Sequence, residues 1–111
     1  MARKARYCPG GYIYHVLNRS AGRIALFRRD EDYAAFERVM IDAFEAVPLR
    51  IIGWGLMKNH WHFMVWPRTT DEVTGYFRVL AHTHAMRALA CGAPVGGMGA
   101  FVSGPVQGVS R

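Results

Sequence analysis

An α+β fold, two helices packed against an antiparallel sheet, is predicted by three features. They are an alternating run at residues 12–17, two stretches of helical periodicity after residues 30 and 71, and two β-rich segments joined by a two-residue link at Lys58 and Asn59. In the first run Tyr12, Tyr14 and Val16 share one face and Ile13, His15 and Leu17 the other, as a strand of period two requires. Residues 18–22 are turn-rich, and residues 24–27 can add a short extended piece. Asp30, Glu31 and Asp32 then place negative charge where a helix N-terminus favours it, and Tyr33, Phe36, Met40, Phe44 and Val47 recur at spacings of three and four until Pro48 ends the run. Residues 49–57 and 60–66 flank Lys58-Asn59 as a hairpin, in which Trp61, Phe63 and Val65 turn one way and His60 and His62 the other. Asp71 and Glu72 open a second helix that runs to about Ala90, with Val73, Phe77, Leu80 and His84 on one stripe.

The resulting order, β-α-β-β-α, is that of a ferredoxin-like split βαβ with its last strand missing or shortened. Residues 7–90 form the expected domain, and residues 91–111, with six glycines, two prolines and one charge, are expected to be an irregular tail. At 111 residues there is room for one core only, and an apolar fraction of 51% excludes a disordered chain. The uncharged stretch at 88–110 is broken by Gly and Pro, which argues against a membrane span, and no secretory signal is visible. Cys8 and Cys91 are too far apart in sequence to suggest a zinc knuckle or a disulfide framework, so a reducing cytoplasm is the simpler expectation.

Fourteen basic against eight acidic residues give a net charge of +6, and only Lys4 and Lys58 are lysines. Guanidinium forks pair with phosphate oxygens two at a time, so this balance suggests a polyanion partner. Arg19, Arg23, Arg28 and Arg29 cluster between the first strand and the first helix, and Lys58, Arg68, Arg78 and Arg87 flank the hairpin and the second helix. Trp54, Trp61 and Trp66 are aromatic enough to stack on bases, although Trp61 is better placed for the core. His60 and His62, roughly 7 Å apart at Cβ by strand geometry, can converge on one ion, or they can be two half-exposed histidines.

The run from Gly55 to Phe63, with Met57, Asn59, His60 and His62 as its core, together with Tyr14 to Arg19, Phe27 and the segment 30–36, resembles the single-tyrosine HUH transposases, the insertion-sequence-200-like and REP-associated tyrosine transposases. The resemblance covers residues 7–90. It implies a ferredoxin-like domain, a homodimer, single-stranded or hairpin DNA as partner, and metal-assisted phosphodiester cleavage with strand transfer during transposition. It implies Mg²⁺ or Mn²⁺ on His60 and His62, and a tyrosine nucleophile on the last helix. It makes Arg19 the first DNA contact, with Arg23, Lys58, Asn59, Arg78 and Arg87 as further ones. The chain departs from this pattern: the tyrosine position falls at His84, the polar residue expected one turn later falls near Ala88, and the sequence beyond is short and Gly-rich, as in a truncated member. Histidine can attack phosphorus, and Tyr76, about two turns earlier, is the one phenol in that helix and the fallback nucleophile. A DNA-binding relic without catalysis, and a basic module for RNA or protein with structural histidines, are the alternatives.

Overall fold

The computed structural model describes residues 10–19, 26–90 and 100–110, with positions 19, 89 and 100–110 described by backbone only. The elements are β1 (Tyr12–Arg19), α1 (Asp30–Ala46), β2 (Ile51–Met57), β3 (His60–Val65), α2 (Glu72–Ala90) and β4 (Ala100–Ser110). The sheet order is β2-β3-β1-β4 with antiparallel neighbours, so β3 is inserted between β1 and β2 as in a ferredoxin-like split βαβ.

The alternation expected of β1 and β3 is present. Tyr14, Val16 and Asn18 pair with Val65, Phe63 and Trp61, and all six side chains are buried. Both helices pack on this face. From α1 come Phe36, Val39, Met40 and Ala43, and from α2 come Val73, Tyr76, Phe77 and Leu80. Trp61 stacks on Phe77 with ring centroids 5.6 Å apart, and Phe63 meets the same ring edge-on at 5.2 Å.

The apolar stripe of α1 is rotated from the expected one. Met40 and Phe36 are buried, but Phe44 is 46% exposed and Ala43 takes the place against the core. Ala43 is 0% exposed, and the larger ring is left at the rim of the core. Trp54 is likewise 51% exposed, on the core side of the edge strand β2, where it lines a groove with Met40, Ile41 and Phe44 of α1.

The start of α1 is set by Asp32, whose carboxylate accepts the N–H groups of Arg28 (2.8 Å) and Arg29 (3.0 Å). These backbone bonds hold its pKa below the ordinary value. Gly11, at φ 90°, makes the turn into β1 and donates its N–H to Pro67 O at 3.0 Å.

The expected irregular tail is in part a strand. β4 pairs along the open edge of β1, with register shifts between Tyr12 and Tyr14 and between Tyr14 and Val16. Edge pairing uses main-chain groups alone, which glycine supplies as well as any residue, and an edge position tolerates Pro105. The composition of this segment signals weak side-chain packing and is silent on a ladder of backbone bonds. Among the described residues no helix is long and apolar enough to cross a membrane.

Candidate functional site

The second face of the sheet carries Ile13, His15 and Leu17 from β1, His60, His62 and Met64 from β3, and Gly53, Gly55 and Met57 from β2. No described helix covers it. The hairpin turn at Lys58-Asn59 fixes the register as Met57 opposite His60 and Gly55 opposite His62. Pleat parity then brings both imidazoles to this face, half-buried, with ring centroids 6.3 Å apart and planes 22° from parallel.

His60 Nδ1 lies 3.0 Å from Asn59 Oδ1. In the tautomer that donates Nδ1–H to this amide oxygen, Nε2 keeps its lone pair, the arrangement in which an imidazole can bind a metal. Asn59, expected as a DNA contact, is placed to orient His60. His62 is further contacted by His15 from β1, edge-on at 5.5 Å and 82°. Among the described residues no cluster of three or more His, Cys, Asp or Glu could hold a metal. The two imidazoles are therefore a partial ligand set.

The remaining expected site residues are dispersed. Lys58 is exposed at the hairpin turn, and its carbonyl accepts the N–H groups of Leu26 (2.8 Å) and Phe27 (3.1 Å), which ties the approach to α1 to the hairpin. The backbone of Arg19 pairs with His60, so this position shares the end of the sheet where the histidines stand. Arg23 lies outside the described residues. Arg78 and Arg87 are exposed on α2, in the helix layer and away from the histidine face, and Arg87 is paired with Asp42 of α1 at 2.6 Å.

Neither candidate nucleophile reaches the histidine pair. His84 sits in the helix layer, edge-on to Phe36 at 4.9 Å and stacked near Phe27 at 6.2 Å, with its Nδ1 buried and unpartnered. Burial lowers its pKa, opposed by the charge of Asp32. Tyr76 is 0% exposed and donates its hydroxyl to Met40 O at 3.0 Å. Burial pushes the phenol well above its ordinary pKa, the reverse of what a phenolate nucleophile needs. Helical spacing places a residue on a helix, but only the packing angle decides which side of the sheet the helix occupies.

Sequence reasoning missed two features here. Gly55 lies beneath His62, a position that counting outward from the two-residue turn locates. Asn18, 1% exposed and without a hydrogen-bond partner for either amide atom among the described residues, stands beside Trp61 on the covered face, and no pattern in the sequence marks it as unpaired.

No family model matches the chain, and no curated protein matches it. Among solved structures it is similar to a REP-associated tyrosine transposase bound to a REP hairpin, with a TM-score of 0.65 and 18% identity over 96% of this chain. The likeness is one of fold. The chain spans 65% of the length of that protein. It is also similar to a protein assigned as a transposase from Deinococcus radiodurans, with a TM-score of 0.70 and 14% identity, covering 96% of this chain and 88% of that one.

Proposed function

We propose that this chain is a transposase-type domain that binds single-stranded or hairpin DNA across the open face of its sheet, with a phosphate of the backbone held at His60 and His62. The observation that carries this reading is the side-by-side placement of the two imidazoles on a face that no described helix covers, with His60 Nδ1 3.0 Å from Asn59 Oδ1. The fold shared with a transposase bound to a hairpin supports it, as does the arginine-rich charge balance.

His60 and His62 would hold the divalent ion, Mg²⁺ or Mn²⁺. When bound, such an ion supplies polarisation of a phosphate oxygen toward attack at phosphorus. The chain's own residues contribute the rest. Asn59 holds the His60 ring through its Nδ1, His15 and the strand backbone restrict His62, and Lys58 and Arg19 stand at the end of the sheet where a phosphate backbone would leave the histidines. Tyr76 and His84 belong to the covered side, which favours DNA binding without a covalent protein–DNA step from these two groups. A homodimer belongs to the same reading, and sedimentation velocity at micromolar concentration tests it.

The decisive experiment incubates purified protein with end-labelled hairpin DNA and Mn²⁺ and runs native and denaturing gels side by side. The expected result is retarded hairpin DNA, weakened by chelation and by His60→Ala with His62→Ala, and no covalent adduct. Retardation that survives both changes removes the ion from the reading. Stronger retardation of RNA than of DNA replaces it with the RNA-binding module.

A further inference from the structure

His62 is the enclosed member of the pair. It has His60 beside it on β3, the edge of His15 against it from β1, and Gly55 opposite it on β2. A Cβ on Gly55 would stand 2.6 Å from His62 Nε2, 3.0 Å from Cε1 and 3.3 Å from Cδ2. The imidazole therefore rests against bare backbone, in volume that any other residue type would fill.

Gly53 provides the comparison. It lies two positions earlier on the same strand and is directed to the same face, yet a Cβ there meets nothing within 4 Å. Strand β2 has no general need of glycine on this face, and glycine inside a strand is a cost in backbone entropy and lost packing. What separates the two positions is the ring lying over one of them.

The geometry points to Gly55 as a positioning residue for His62: the missing side chain lets the imidazole settle onto β2 and so sets its orientation beside His60. This rests on the reading of His60 and His62 as a ligand pair only where metal affinity is concerned. The orientation itself is a property of the free protein. The ring is the far end of a side chain with two rotatable bonds, so Gly55→Ala displaces the ring and leaves the sheet intact.

The test compares the wild-type chain, Gly55→Ala and Gly53→Ala by NMR of the histidine rings, with Mn²⁺-induced line broadening of His60 and His62 as the affinity readout. The expected wild-type result is a nuclear Overhauser contact between the Gly55 Hα protons and the His62 ring. In Gly55→Ala the His62 ring signals shift and Mn²⁺ affinity falls by about tenfold, the low end for losing a group that orients a ligand. Gly53→Ala keeps both, and all three proteins melt within a few degrees of one another. Unchanged His62 signals in Gly55→Ala, or equal changes in Gly53→Ala, overturn the proposal. So does a displaced ring with unchanged Mn²⁺ affinity. If neither ring of the wild-type chain broadens with Mn²⁺ while the ring shift is seen, the metal reading fails and the seat for His62 stands.

Discussion

Replacing Tyr76 by Phe separates a buried structural phenol from a nucleophile. The ring is 0% exposed and packs edge-on against Phe77 at 5.0 Å, contacts that phenylalanine keeps. What is lost is one hydrogen bond, from the hydroxyl to Met40 O at 3.0 Å. Met40 lies within α1, so its carbonyl retains the helical N–H four residues on. The cost is therefore that of one net hydrogen bond, about 1 kcal/mol, and not that of an orphaned carbonyl. For a domain of this size that lowers the melting temperature by about 4 °C or somewhat more. Tyr76→Ala also empties the ring's volume and is expected to cost about 3–5 kcal/mol. Thermal and urea denaturation followed by circular dichroism measure both, and the hairpin-DNA gels run on the same proteins show unchanged retardation for Tyr76→Phe. A Tyr76→Phe protein of wild-type stability that loses a covalent DNA adduct formed by the wild-type chain would refute the reasoning and make Tyr76 the nucleophile.

Burial holds the His84 imidazole below its ordinary pKa of 6.5, so the unfolded chain takes up this proton first as the pH falls. Its contribution is complete above that value and is lost as the pH drops toward the folded-state pKa. His84→Phe should flatten the loss of stability that sets in as the pH falls below 6.5, and parallel wild-type and variant curves in urea titrations would remove burial as the cause. The carboxylate of Asp32 titrates below this window, because its pKa lies under 3.8. Phe36→Ala removes a 0% exposed ring that meets Phe27, Trp61 and His84, and should cost about 3–5 kcal/mol in a urea titration. Arg87→Ala breaks a 2.6 Å pair with Asp42 that is 53% and 45% exposed, so its effect should stay below about 1 kcal/mol and vanish in 1 M salt. The same variant should leave hairpin retardation unchanged, whereas a large loss would move the DNA path onto the helix layer.

The sequence by itself determined the type and order of the first five elements, β1 to α2, through hydrophobic period. Alternation at Tyr14, Val16, Trp61, Phe63 and Val65 marked the covered face, and the two-residue link at Lys58-Asn59 set the hairpin register that aligns His60 with Met57 and His62 with Gly55. Because these signals are local, they survive without knowledge of the fold. The histidine pair was legible for the same reason: two residues apart on a strand means one face. Tertiary structure alone decided which candidates meet. His84 and Tyr76 sit on an element whose packing side is not encoded in its own period, and the sheet separates them from His60 and His62. The strand β4 was hidden because main-chain pairing at an edge leaves little mark on composition. Burial of Asn18 without a partner and the seat that Gly55 offers to His62 depend on contacts between strands distant in sequence or across the hairpin. Periodicity within one segment tells which way a side chain turns, and only the neighbouring segment tells what it meets there.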